Sequence, residues 1–338
     1  MNELVTDQMK RPVQDLRISV TDRCNLRCPY CMPAEIFGER YEFLNREELL
    51  TFDEIEHITN IFVKLGVTKV RLTGGEPLLR ANIGDLITAL ANIKGIDDLT
   101  LTTNGFLLAQ NAQALKDAGL QRITVSLDSL DDATFAQMNG REYTTTRVLE
   151  GIAAAEKAGL SPIKINVVVQ KGINEHTILD IARHFKGTGH IVRFIEYMDV
   201  GNLNGWDLSQ VMPSQEIITL INSEMPLEPD SPNYIGEVAK RYQYVDGTGE
   251  IGVISSVSNP FCGDCSRVRL SADGQMFTCL FASRGTDLRA VIRDASSEAS
   301  LIEKVASTWR IRTDRYSEER SSLTKPLEEK VEMYKIGG

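Results

Sequence analysis

The sequence predicts an α/β protein: an incomplete TIM-type barrel of about six βα units, with a C-terminal α+β extension covering the barrel opening. Three observations predict it. Strand-like runs alternate with helix-like stretches from residue 15 to 198, a rhythm that implies parallel strands joined by crossovers. Those runs carry one polar and one apolar face, whereas parallel strands covered on both faces read as unbroken apolar runs. After Met198 the rhythm breaks, and turn-bounded strand pairs take over. A chain of 338 residues suits one large barrel-like domain or two smaller ones, and the break divides it into 1–200 and 201–338.

The six strands are expected at 16–21, 69–73, 99–103, 122–127, 163–169 and 191–198. Helices are expected at 53–65, 83–93, 111–118, 146–158 and 175–185, the first opened by a capping box of Thr51 and Glu54. Along the strands Arg17, Ser19 and Thr21 oppose Leu16, Ile18 and Val20, and Lys69, Arg71 and Thr73 oppose Val70 and Leu72. Thr100 and Thr102, then Arg122, Thr124 and Ser126, then Lys164 and Asn166, then Arg193 continue the polar face. Helices should cover the apolar face, so the polar face lines a wet, cationic interior with binding groups at the C-terminal strand ends. An open sheet with one solvated face is the alternative. Beyond Met198, residues 201–205 read as a Gly/Asn loop and 215–222 as a short helix with Ser214 as N-cap. Residues 224–232 read as a loop rich in Pro and acids. Residues 241–245, 252–257, 267–270 and 275–280 read as antiparallel strands, turned at Asp246-Gly247 and Asp273-Gly274, and a helix is expected at 298–311.

A net charge of −10 argues against a nonspecific nucleic-acid or membrane binder. Residues 1–10 lack the apolar centre of a secretory signal, and no apolar run is long enough for a bilayer. A cytoplasmic protein with reduced thiols is the expectation. The six cysteines fall into two groups of three, which suggests two metal sites.

The first group is Cys24, Cys28 and Cys31, in a loop tight enough to aim three sulfurs at one point. Iron–sulfur clusters usually take four cysteine thiolates, so three leave one iron open to an outside molecule. A zinc knuckle or three core thiols are the alternatives, but structural zinc wants four ligands and no histidine lies in the loop. The second group is Cys262-Gly263-Asp264-Cys265 with Cys279, which a hairpin at Asp273-Gly274 brings back beside Cys265. Zinc with a distant fourth ligand stays open there, yet two incomplete trios point to two clusters. Ser266-Arg267-Val268-Arg269 follows, with Arg267 and Arg269 on one strand face. Together with Arg17, Lys69, Arg71, Lys164 and Arg193 they make a pocket suited to a compact polyanion such as a nucleoside triphosphate. No Walker loop is present to cradle phosphates. Gly74-Gly75-Glu76-Pro77 follows the second strand, where glycines let a ligand approach the backbone. His57, His176, His184 and His190 show no ligand spacing.

The Cys24–Cys31 spacing resembles that of the radical S-adenosylmethionine (SAM) enzymes. The resemblance implies a [4Fe–4S] cluster whose open iron chelates the methionine part of SAM, and an electron that releases a 5′-deoxyadenosyl radical. By the same resemblance Gly75 meets the methionine amino group, Tyr30 lies beside the adenine, and Ser126 and Met198 complete the cofactor pocket. More narrowly, the chain resembles the GTP 3′,8-cyclase family of the MoaA type, which opens molybdenum cofactor biosynthesis. The likeness rests on residues 15–24, Leu72-Thr73-Gly74-Gly75-Glu76-Pro77, Leu101-Thr102-Thr103-Asn104-Gly105, Phe194-Ile195-Glu196-Tyr197-Met198-Asp199, the second cysteine trio with its arginine pair, and the Gly337-Gly338 end. It implies a second [4Fe–4S] cluster that holds the guanine of GTP. It implies GTP contacts from Arg17, Arg71, Thr102, Lys164, Arg267, Val268 and Arg269, and catalytic roles for Arg17, Arg267, Arg269, Gly337 and Gly338, the tail entering the active site. Abstraction of the ribose 3′ hydrogen and attack on guanine carbon 8 would give (8S)-3′,8-cyclo-7,8-dihydroguanosine 5′-triphosphate. Implied partners are GTP, an electron donor and a downstream cyclic pyranopterin-forming enzyme; a homodimer is left open. Two rivals are weighed: a peptide-modifying radical SAM enzyme, which would carry a longer C-terminal cysteine series, and a metal-stabilised nucleotide binder or redox sensor, which needs complete four-ligand sites.

Overall fold

The computed structural model describes residues 4–294, 297–320 and 329–337. Six parallel strands pair in sequence order: β1 (Asp15–Ser19), β2 (Lys69–Thr73), β3 (Asp98–Thr103), β4 (Arg122–Ser126), β5 (Lys164–Val169) and β6 (Ile191–Glu196). The crossovers carry α1 (Phe52–Lys64), α2 (Ile83–Ala91), α3 (Leu108–Asp117), α4 (Asp132–Asn139), α5 (Thr146–Lys157) and α6 (Ile178–Phe185). The capping box at α1 is complete: Thr51 Oγ1 accepts from the Glu54 N–H, and the Glu54 carboxylate accepts from the Thr51 N–H. Helix α4 was not expected. Asp131 caps it and Gly140 ends it in the left-handed conformation, but eight residues are too few for a clear apolar period. The expected helix at 175–185 starts with a 3₁₀ turn over Glu175–Thr177 before α6.

The C-terminal half supplies α7 (Ser214–Asn222), β7 (Leu227–Asp230), β8 (Lys240–Tyr244), β9 (Glu250–Ile254), β10 (Arg267–Leu270), β11 (Gln275–Phe277), β12 (Thr286–Asp287), α8 (Arg289–Arg293), α9 (Glu298–Arg310), α10 (Tyr316–Glu319) and α11 (Met333–Ile336). All strands join one sheet in the order β12-β11-β10-β1-β2-β3-β4-β5-β6-β9-β8-β7. The extension therefore lengthens the barrel sheet at both ends. Three expectations are corrected. Strand β9 pairs parallel with β6, and β10 parallel with β1; each is antiparallel only to its hairpin partner. Residues 227–230, read as loop, form the edge strand β7 against β8, where Pro229 is tolerated. Ser214 is the first helical residue, after Pro213, and not the N-cap; its N–H donates to Glu196 and its hydroxyl pairs with Ser255.

The alternation read from the sequence sorts the two faces of the sheet. Leu16, Ile18, Val70, Leu72, Leu101, Ile123, Val125 and Ile165 are buried with Ile58, Phe62, Leu86 and Ile87 of the helices in one core. Each such side chain contributes about 1.5–3 kcal/mol by leaving water. The polar face is left to line the concave side. Among the described residues no helix is long and apolar enough to cross a membrane.

Candidate active site

The loop after β1 carries the first cysteine trio, and Arg27 stitches it. Its guanidinium donates to the carbonyls of Cys24 (2.8 Å), Leu26 (2.7 Å) and Phe37 (2.6 Å), and its N–H to Asn139 O (2.9 Å). The amides of Cys31 and Met32 both turn back to Cys28 O. The glycine pair after β2 fits against this loop's own chain. A Cβ on Gly74, whose φ is +145°, would stand 2.5 Å from Thr21 O, and one on Gly75 2.2 Å from Arg23 O. The pair is thus required by backbone packing; close approach of a ligand is a second use. Glu76 is buried and accepts from the Leu78 and Asn104 amides and the Thr103 hydroxyl; burial raises its pKa to about 7.

Cys24, Cys28 and Cys31 open on a cavity that also bears Tyr30, Gly75, Ser126 and Met198, so the four expected cofactor contacts meet there. Tyr30 donates to Asp128 (2.8 Å), a buried carboxyl raised to about 6 that also accepts from the Val168 amide. Sequence reasoning missed Asp128, which follows β4 with no motif around it.

The concave face holds a second cavity. Arg17, Lys69, Arg71, Lys164, Arg193, Arg267 and Arg269 all line it, with Thr102 and Asn166. Arg71 donates to Thr102 and Thr124 at 3.1 Å each, and Arg193 to Asn166 at 3.0 Å. Burial, then mutual repulsion, lowers Lys164 to about 7 and Arg193 to about 9. The Nε atoms of Arg17, Arg71 and Arg269 are buried without a partner. Desolvated cations with spare donors demand anionic oxygens. The side chain of Val268 is wholly buried in the core, because strand alternation turns it away from the cavity that its neighbours face, so only its backbone is left to meet a ligand there. Asp15, Tyr234 and Glu237 also line this cavity and were missed. Asp15 shares the phase of Arg17 and could have been found; Tyr234 and Glu237 lie in an irregular segment with no pattern to read.

Cys262, Cys265 and Cys279 line a third cavity with Arg267, Arg269, Phe281 and Asp314. Burial would raise the Cys265 thiol, but Arg267 and Arg312 outweigh it and bring the pKa to about 6. Arg267 donates to its sulfur from Nε and Nη2, at 3.3 and 3.2 Å. Asp314 is occupied by Thr278 and Arg312. The three cavities adjoin: Met198 lines all of them, Thr102 lines the first and second, and Arg267 and Arg269 line the second and third. None of the four histidines lines any of them.

The expectation that a trio aims its sulfurs at one point needs correction. Among the described residues no three Cys, His, Asp or Glu side chains gather as the donor set of one ion. Each trio lines a cavity instead, which is what a polynuclear cluster asks for, since each cysteine takes a different iron. In the first trio burial, then the neighbouring thiols, push Cys28 up, a repulsion that a cationic centre would relieve. Both donor sets fit such a group.

The tail comes back to the barrel. Met333 lines the first cavity, and Tyr334 is buried with its hydroxyl 2.6 Å from that of Tyr41. Gly337 has φ +65°, and a Cβ there would lie 2.1 Å from Thr73 Cγ2 and 3.2 Å from Ser19 Oγ. Gly338 lies outside the described residues.

Two family models match the chain: "Radical SAM superfamily" over residues 18–185 and "Molybdenum Cofactor Synthesis C" over 190–318. The chain is 50% identical to the GTP 3′,8-cyclase of Acidothermus cellulolyticus, over all of both chains. It is 52% identical to that of Xanthomonas campestris pv. campestris, over 98% of this chain and 97% of the other, and 48% identical to that of Staphylococcus aureus, over all of both. In fold it is similar to Streptococcus suis SuiB, at a TM-score of 0.59 and 15% identity, over 94% of this chain and 70% of that one. Methylornithine synthase (PylB) gives 0.51 and 15%, over 93% and 86%.

Proposed function

The chain belongs to the GTP 3′,8-cyclase family, radical SAM lyases of molybdenum cofactor synthesis, and from that premise we propose how its residues divide the work. Radical SAM membership implies one [4Fe–4S] cluster and SAM; we propose Cys24, Cys28 and Cys31 as its ligands and the second trio as ligands of another. When bound, the first cluster and SAM would supply a 5′-deoxyadenosyl radical by one-electron cleavage of SAM.

Tyr30, Gly75, Ser126 and Met198 enclose SAM in the first cavity, on the partial barrel of residues 1–200. Arg17, Arg71, Lys164 and Arg193 take the triphosphate of GTP in the second, and Thr102 lines both that cavity and the first. Arg267 and Arg269 hold the nucleoside end toward Cys262, Cys265 and Cys279 of the C-terminal region. The ribose is thereby set between them, and guanidinium donors hold it still while its 3′ carbon, its hydrogen given up to the 5′-deoxyadenosyl radical, would bond to guanine carbon 8. Gly337 brings the tail to Ser19 and Thr73, of which Thr73 lines the first cavity. A one-electron donor and a downstream cyclic pyranopterin-forming enzyme complete the sequence.

One observation carries this reading: seven cations line one cavity that shares lining residues with two others, each bearing a thiol trio. The experiment is anaerobic iron and sulfide analysis, then an assay of 5′-deoxyadenosine release with and without GTP. GTP-dependent release from wild type, and loss of cyclised product in Cys262→Ser with the first cluster kept, are expected. Full product formation in Cys262→Ser would refute the role given to the second trio.

A further inference from the structure

Beneath the second trio lies a buried ionic network that no motif announces. Asp7 and Arg11 come from the N-terminal turn, Arg312 and Asp314 from the segment after α9. The Asp7 carboxylate accepts from Arg11 Nε (2.5 Å), Arg312 Nη1 (3.2 Å) and the amides of Met9 and Arg11 (2.9 Å each). Asp7, Arg11 and Arg312 are nearly sealed from solvent, and Arg312 lies over the Trp309 ring at 4.5 Å. Trp309 in turn donates to Arg11 O (3.0 Å). Two carboxylates balance two guanidiniums, which holds down the cost of burying them.

Two guanidinium nitrogens of the network reach the cysteine segments, while Arg11 Nη2 is buried without a partner. Arg11 Nη1 donates to Cys262 O (2.7 Å), and Arg312 Nη1 to Cys265 O (2.7 Å). Asp314 ties in the third segment by accepting from Thr278 Oγ1 (2.6 Å), next to Cys279, while Arg312 Nε reaches the same carboxylate at 3.3 Å. All three cysteines are therefore anchored through backbone or neighbour to one rigid polar unit. A forked guanidinium fixes direction as well as distance, which a flexible loop cannot do alone.

We propose that Asp7, Arg11 and Arg312 are positioning residues that preform the second cluster site, holding Cys262, Cys265 and Cys279 at cluster spacing. This rests on the proposed second cluster. Asp7 and Arg11 line none of the three cavities and act through the cysteines, whereas Arg312 also borders the third cavity beside them. The N-terminal turn is then part of the site and not a leader to the barrel.

The test uses the full chain prepared anaerobically, with iron and sulfide per chain and the low-temperature EPR spectrum of the reduced protein as readouts. Wild type should hold about eight irons and Cys262→Ser about four. If Cys262→Ser loses no iron, the second-cluster reading fails, and the inference with it. If that control behaves, Arg312→Gln and Asp7→Asn should each fall toward the Cys262→Ser count. Both should keep the SAM-induced spectral change of the first trio and lose the second trio's signal. Arg312→Lys, which keeps the charge without the fork, should lose it too. Full iron with an unchanged second signal in Arg312→Gln and Asp7→Asn would overturn the proposal. So would full retention by Arg312→Lys, or loss of both clusters together, which would mark a general folding role.

Discussion

Lys164 shows how a residue can be tuned by its company. Burial, then Arg193, Arg122, Arg71 and Lys69, bring its pKa to about 7, so in the empty cavity at pH 8 it is mostly neutral. A bound triphosphate favours the ammonium and raises the pKa again. Binding should take up close to one proton at pH 8 and about a tenth of one at pH 6, where the group is already charged. Calorimetry of GTP binding in buffers of different ionisation enthalpy reads this as the difference between wild type and Lys164→Met; no difference at pH 8 would refute it. Gly75 is tuned by space. Its missing Cβ would stand 2.2 Å from Arg23 O, a backbone atom that cannot swing away. Gly75→Ala should destabilise by about 1–3 kcal/mol and displace the first cysteine loop. Denaturant unfolding and iron content report it, and unchanged values in both would contradict the packing argument.

Elements were legible where the chain's own periodicity decided them. The Thr51–Glu54 box named the start of α1 because both halves of that signal are local. Thr51→Ala should cost about 1 kcal/mol in denaturant unfolding and leave GTP binding unchanged. Strand alternation likewise separated the cavity face from the core, and it places Val268 in the core between two cavity arginines. What the sequence could not show was decided by partners far along the chain. The parallel pairing of β9 and β10 depends on where long connections return, and β7 is a strand only because β8 lies beside it. Asp7 meets Arg312 across 305 positions, so the first ten residues carried no local sign of their use. The tail is a similar case. Helix α11 is a single turn, too short to persist alone, and Tyr41 holds it through Tyr334. Tyr41→Phe should lose about 1 kcal/mol of docking and raise the undocked population about fivefold. Hydrogen exchange over 329–337 would show it; equal protection would contradict the anchor.

At the scale of the whole molecule the charge of −10 and the polyanionic substrate of the family are reconciled by placement. Seven cations are gathered on one concave face against only two carboxylates, Asp15 and Glu237, and low-dielectric walls focus their field. The fold achieves this by extending a partial barrel at both edges. Strand β10 brings the arginine pair and the second cysteines beside β1, whose following loop holds the first cysteines. The account therefore stands on two separate, incompletely ligated trios whose cavities adjoin one cationic cavity. Low-temperature EPR of a reduced Cys24→Ser, Cys28→Ser, Cys31→Ser variant, which keeps only the second trio, tests it with and without GTP. The account predicts a cluster signal that GTP shifts; no signal, or one that saturating GTP leaves unchanged, would contradict it.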